Sequence, residues 1–123
     1  MRKAINAAFI KDKKILLVKK KDVWILPGGK PEANESDLEC LFREVKEEIR
    51  TGLENLKYYG EFEGITPHKK DTLKAIVYFA DVIGEPKASA EIINCRWIKY
   101  SNNCLFSDIT SKILNSLKKD NYL

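Results

Sequence analysis

The sequence predicts an α/β fold in which a sheet is flanked by two helices, and three features carry that reading. Residues 73–82 form a nearly continuous apolar run, as expected of a central strand covered on both faces. Residues 36–49 show a capping signature followed by apolar residues at helical spacing, between stretches that read as strands. A second helical pattern follows Ser107-Asp108.

In chain order, residues 4–10 and 15–18 read as two strands around the Lys-rich turn Lys11-Asp12-Lys13-Lys14. Residues 23–26 are a short apolar segment whose pairing Pro27 ends, because proline lacks an N–H. Gly28 and Gly29 allow backbone conformations closed to other residues and let main-chain carbonyls approach a ligand, although a plain tight turn would use them too. The helix opens on the capping box Ser36-Asp37-Leu38-Glu39, and Leu38, Leu41, Phe42, Val45 and Ile49 make its apolar face. Residues 56–62 then alternate in part, residues 65–71 form a loop, and Gly84-Glu85-Pro86 turns the chain after the 73–82 run. Residues 92–98, with Trp97, make a further strand. In the last helix Ile109, Ile113, Leu114 and Leu117 face inward, and Lys118 and Lys119 suit its negative end.

The chemistry concentrates on the first helix. At about 100° per residue, Glu48 falls at the edge of the apolar stripe, Glu44 a little further round and Glu47 beyond that. Three acids thus project from one flank, with Arg43 and Lys46 on other sides. Acids at such spacing repel by a few tenths of a kcal/mol per pair, and a helix chosen for stability alone would place a Lys among them. Bound Mg²⁺ or Mn²⁺ would turn the repulsion into attraction, because hard divalent cations take carboxylate oxygens. Taken alone, the flank reads more simply as a solvated acidic face.

The upstream spacing changes that balance. Gly29, five residues, Glu35, seven residues and then Arg43-Glu44-Val45-Lys46-Glu47-Glu48 resembles the Nudix box, G-x5-E-x7-R-E-U-x-E-E-x-G-U with U apolar. The chain is therefore similar to small MutT-like Nudix hydrolases. It departs from them at Arg50 and Thr51, where the box has Gly and an apolar residue. Because Gly52-Leu53 follows two residues later, the helix is expected to run about half a turn longer and to stop at a left-handed glycine.

The resemblance implies the Nudix α/β/α sandwich, a mixed sheet flanked by helices, over residues 1–123 as a single domain. It implies hydrolysis, dependent on Mg²⁺ or Mn²⁺, of a nucleoside diphosphate linked to another moiety. In the MutT-like case a nucleoside triphosphate is cut to the monophosphate. ADP-ribose or a nucleotide sugar is the alternative substrate, and an idle nucleotide- or RNA-binding sensor the alternative role. By the same resemblance the metal ligands are Glu44, Glu47, Glu48, the backbone carbonyl of Gly28, and Glu91, the acid six residues before Trp97. Glu44 and Glu91 compete as the base that takes the proton of water, and Glu48 is the acid expected to bridge two metals. Glu85 and Asp71 are weaker substitutes for Glu91. Glu35 and Arg43 are expected to form an ion pair that orients Glu44, and Lys20 to face the nucleotide. Pro67 lies near the offset at which members acting on ADP-ribose carry a proline.

Composition bounds the rest. A chain of 123 residues can bury a respectable core as one domain. The apolar run in residues 1–10 is too short for a membrane span and lacks a cleavage site, so neither a membrane partner nor a signal peptide is expected. Cys40, Cys95 and Cys104 are far apart with no C-x-x-C pair, which suits reduced thiols in a cytoplasm. The net charge of +4 concentrates in Lys11, Lys13, Lys14, Lys19, Lys20 and Lys21, which read as solvated surface rather than a nucleic-acid patch. His68, the sole histidine, makes a poor metal site and reads as exposed. The expected partners are a small-molecule nucleotide and, as an open option, a second copy of the chain in a homodimer.

Overall fold

Asp12 and Lys13 both take left-handed backbone, with φ of 53° and 62°, and close a two-residue hairpin between β1 (Arg2–Lys11) and β2 (Lys14–Lys20). Two positive-φ residues give such a turn the twist of its strands. The computed structural model that shows this describes residues 2–66 and 71–123, so Pro67 and His68 lie outside the described residues.

β3 (Val23–Ile25) and the short β4 (Gly28–Gly29) precede α1 (Asp37–Ile49). β5 (Gly52–Ile65), β6 (Thr72–Ile83) and β7 (Ile92–Lys99) lead to α2 (Asp108–Lys119). The strands lie in the order β3-β2-β1-β6-β5, with β4 on β1 and β7 on β2. β1 and β6 run parallel from Arg2↔Leu73 to Phe9↔Ala80. The other pairs are antiparallel, so the sheet is mixed and the fold α/β, as the sequence predicts.

Side-chain alternation along β1 divides the core in two. Ile5, Ala7 and Phe9 pack under Leu41, Val45 and Ile49 of α1. Ala8 joins Ala75 and Val77 of β6 under Ile113, Leu114 and Leu117 of α2. Full burial of each Leu or Ile contributes about 1.5–3 kcal/mol, which is what fixes both helices on the sheet. Ser107 caps α2 by accepting from the Thr110 N–H. Among the described residues no helix is long and apolar enough to cross a membrane.

α1 buries Leu41, Val45 and Ile49 as its apolar spacing predicts, but is turned so that two further residues of that face stay outside. Leu38 and Phe42 remain 42% and 44% exposed, whereas Cys40, Leu41, Val45, Glu48 and Ile49 are buried. On the buried side, Glu48 accepts the Gly28 N–H at 2.9 Å and the Cys40 thiol donates to the Gly29 carbonyl at 3.4 Å, so this rotation brings polar groups of the helix onto the glycine backbone. Nor does the helix run longer. Arg50 itself takes the left-handed conformation at φ 58°, its N–H bonded to the Lys46 carbonyl, and Gly52 is already the first residue of β5. That strand spans 14 residues instead of 56–62. It is an edge strand with register breaks between Glu54 and Lys57 and between Tyr58 and Gly60, and these interrupt the period-2 pattern.

Candidate active site

The site begins where Gly28–Gly29 lies on β1, opposite Ile5 and Asn6. The Asn6 side-chain amide donates to the carbonyls of Leu26 and Pro27 at 3.2 and 3.3 Å, and the Ala7 N–H donates to Pro27 at 2.9 Å. Gly28 has φ 143°, and a Cβ there would run into the Ile5 carbonyl and Asn6. Only glycine fits. A Cβ on Gly29 would come within 2.7 Å of both Glu44 carboxylate oxygens. The two glycines therefore let two carboxylates of α1 close on a bare stretch of main chain.

Glu48 is the deeper of the two, only 4% exposed, with Oε1 accepting the Gly28 N–H. Burial pushes its carboxyl up to about 8, reinforced by Glu44 and Glu91 and opposed by the Gly28 N–H and by Lys20. Glu44 is partly buried, and burial raises its carboxyl too, against the pull of Arg43. Glu47 is half exposed and bonded to Arg43 Nη1 at 3.1 Å, outside the cavity wall.

Arg43 is the hub of the flank. Its Nε and Nη2 grip the two oxygens of Glu35 at 2.7 and 2.9 Å, Nη2 also reaches the Lys30 carbonyl, and Nη1 reaches Glu44 Oε1 at 2.9 Å. The fork, together with the Glu32 N–H on Glu35, holds the Glu35 carboxyl down at about 2. The Glu35–Arg43 pair is the one the resemblance implies, whereas the angular reading that put Arg43 on another side of the helix from the acids is corrected. A long side chain reaches the adjacent Glu44 and, one turn on, Glu47, so the flank carries its own cation.

A cavity of about 370 Å³ opens beside these groups, lined by Glu44, Glu48, Glu91, Lys20 and both glycines, and further on by Leu73 and Ile109. Glu91 is exposed and paired with Lys20 at 2.9 Å. The fold thus brings Gly28, Glu44, Glu48, Glu91 and Lys20 to one cavity and leaves Glu47 at its edge. Glu85 and Asp71 do not line it, and Asp71 instead faces Arg2. The sequence reading missed Arg2 and Asn6, which share the cavity wall. Their only sequence signal is a polar residue at alternate positions of an otherwise apolar strand.

The donor set fits a hard divalent cation. A buried carboxylate with a single backbone N–H, a second carboxylate beside it and a bare glycine backbone are oxygen ligands with spare lone pairs. Among the described residues no three His, Cys, Asp or Glu side chains already form a cage. Glu44 and Glu47 are bonded to Arg43, and Glu91 to Lys20.

Comparison with known proteins agrees with this geometry. The family model of the NUDIX domain matches residues 1–113. An ADP-ribose pyrophosphatase of Methanocaldococcus jannaschii is 33% identical over 105 residues, which cover 80% of this chain and 62% of that protein. The m7GpppN-mRNA hydrolase of Saccharomyces cerevisiae is 31% identical over 115 residues, 86% of this chain and 12% of that protein. The chain thus spans less than two thirds of either relative. The crystal structure of a MutT NUDIX hydrolase from Burkholderia pseudomallei superposes with a TM-score of 0.83 at 27% identity, covering 93% of this chain and 95% of that one.

Proposed function

From the premise that the chain belongs to the Nudix family, we propose that it hydrolyses a nucleoside diphosphate linked to another group. We take it as a MutT-like nucleoside triphosphate pyrophosphohydrolase that releases the monophosphate. The observation that carries this reading is the pair Glu44 and Glu48, pressed against Gly28–Gly29 at one wall of a cavity with apolar residues further along. The likeness to the Burkholderia structure favours the MutT-like form of the reaction.

Bound Mg²⁺ or Mn²⁺ would be held by Glu44, Glu48 and the Gly28 carbonyl, joined by Glu47 and Glu91, and would neutralise diphosphate charge and lower the pKa of the attacking water. Glu44 is the better candidate for the base that takes the proton of water. Burial raises its basicity, whereas Glu91 is exposed and tied to Lys20. Arg43 holds Glu44 in place from one side while its fork on Glu35 anchors the preceding loop. Lys20 and Lys30 line the cavity and supply positive charge for the phosphates.

A second reading, cleavage of ADP-ribose, is favoured by the archaeal relative, which matches 80% of this chain. The yeast relative is named for mRNA, so the expectation of no nucleic-acid partner rests on reading the lysines of residues 11–21 as solvated surface. Free thiols at Cys40, Cys95 and Cys104 suit a cytoplasmic setting. The test is phosphate and pyrophosphate release with Mg²⁺ over a panel of nucleoside triphosphates and ADP-ribose, beside Glu44→Gln and Glu48→Gln. Turnover by the wild type that both variants lose supports the reading. Turnover that survives both overturns it, and tight binding without turnover favours a sensor.

A further inference from the structure

A second cavity, of about 340 Å³, opens on the α1 face of the sheet, at the end away from the carboxylates. Phe9 and Lys11 of β1, Ala80, Asp81 and Val82 of β6 and Trp97 of β7 line it. The topology accounts for it. β1 pairs with β6 as far as Phe9↔Ala80 and with β2 from Ile10↔Ile15, while β7 lies beyond β2. Where β1 changes partner, a crevice is left between β6 and β7. Strand register then sets three lysines beside it. Lys11 stands opposite Lys14, and Lys14 opposite Lys99. Opposed residues share a face of the sheet, and so do residues two apart along a strand. Phe9, Leu16 and Trp97, each two residues from one of the lysines, pack on the α1 side of the core, so the row lies on the cavity side.

None of the three lysines forms an ion pair among the described residues. Asp81, the acid of the wall, accepts from Asn55 Nδ2 at 2.9 Å. Like charges set directly opposite weaken a sheet, so the row points to an anion brought by a ligand. Lys99 joins Lys11 and Lys14 only through the register, which is why chain order hides the row. From Lys11 to Lys99 it spans two strand spacings, about 10 Å, a length that takes more than one phosphate. Trp97, partly buried, lies about 7 Å from Lys99 along β7. A cationic track beside an aromatic wall is how single-stranded nucleic acid is held, with phosphates on the charges and a base against the ring.

We propose that Lys11, Lys14, Lys99 and Trp97 form a binding surface for single-stranded nucleic acid, its phosphates along the lysine row and a base in the crevice between β6 and β7. Five residues of β1, about 17 Å of strand, separate Lys11 from Asn6 at the carboxylates. The surface therefore needs neither the metal nor the hydrolysis.

The test is fluorescence anisotropy of a labelled oligothymidylate without a 5′ phosphate, titrated with the protein in metal-free buffer at several salt concentrations. The wild type should bind it, with affinity falling as salt rises. Lys14→Gln and Lys99→Gln should each weaken binding several-fold and reduce the slope of log affinity against log salt by about 0.7. Lys119→Gln removes the same charge from α2, on the opposite face of the sheet, and should leave the slope unchanged. Trp97→Leu should bind about fivefold or more weakly, whereas Trp97→Phe keeps a ring to stack on and should stay near the wild type, with both folds checked by melting. No binding by the wild type overturns the proposal, as does a loss in Lys119→Gln equal to that in Lys99→Gln. Polyglutamate competing as well as unlabelled oligothymidylate also overturns it, since the row would then take any polyanion. Thymidine triphosphate competing equally well overturns it in favour of a pocket for a free nucleotide.

Discussion

The Gly28 N–H donates to Glu48 Oε1 at 2.9 Å, and this bond joins the glycine turn to the helix that carries the acids. It places a carboxyl that is 4% exposed against the main chain, in a position where a carboxylate would ordinarily be given up to water. The arrangement is costly for the protein alone and useful for holding a cation.

The first prediction concerns that cost. The Glu48 carboxyl sits at about 8 in the fold, above its ordinary 4.5, so the unfolded chain sheds this proton first. Its contribution to stability is complete below pH 4.5 and is lost as pH rises through about 8. Glu48→Gln keeps an acceptor for the Gly28 N–H and has no charge to bury. In metal-free buffer at pH 9 the variant should melt higher than the wild type, and at pH 4 the difference should vanish. Added Mg²⁺ should raise the wild-type Tm and leave that of the variant unmoved. Thermal melts at the two pH values, with and without Mg²⁺, check both.

Gly28 and Gly29 should separate stability from activity. Gly28→Ala forces a Cβ onto the Ile5 carbonyl at φ 143° and should cost about 2–4 kcal/mol in urea unfolding. Gly29→Ala meets only the Glu44 carboxylate, the far end of a flexible side chain, so stability should fall by about 1 kcal/mol or less while kcat drops at least tenfold. Equal losses of stability in the two variants would contradict the different contacts of the two glycines.

Acid should unpick the Glu35–Arg43 fork. The Glu35 carboxyl is held at about 2, below its ordinary 4.5, so its contribution is present above pH 4.5 and fades as pH falls towards 2. Glu35→Gln should therefore unfold more readily than the wild type at pH 6 and no more readily at pH 2. Arg43→Lys keeps the charge but not the fork, and should behave as Glu35→Gln does in the same melts.

Arg50 should tolerate glycine. It occupies a left-handed conformation that costs a non-glycine residue about 1–2 kcal/mol, against which glycine gives up about 0.5–1 kcal/mol of chain entropy. Arg50→Gly also loses the Arg50 Nε bond to Ser89 Oγ at 3.2 Å. The net change should stay within about 1 kcal/mol with unchanged kcat. A loss of 2 kcal/mol or more in urea unfolding would show that the Ser89 contact, and not the turn, decides this position.

The parts of the molecule that rest on local spacing are legible in the sequence. The capping box at Ser36, the acids of α1, the glycine pair and the amphipathic α2 are written in residues close to one another. What depends on docking is not. Periodicity puts Glu48 at the edge of the apolar stripe, but that its carboxylate accepts the Gly28 N–H is decided by docking. Arg43 reaches the acids because its side chain is long enough to bend along the helix, which an angular projection omits. Arg2 and Asn6 become cavity wall only through the pairing of β1 with β6 and β4. β5 hides its length because an edge strand alternates weakly and carries two register breaks.

The central claim is that Glu44 and Glu48, against the Gly28 backbone, hold a divalent cation. Its most direct test is an electron paramagnetic resonance titration of Mn²⁺ into the wild type, Glu44→Gln and Glu48→Gln, each with its fold checked by melting. The account predicts stoichiometric Mn²⁺ binding by the wild type and at least tenfold weaker binding in both variants. Binding of equal strength in all three, or none in the wild type, would contradict it.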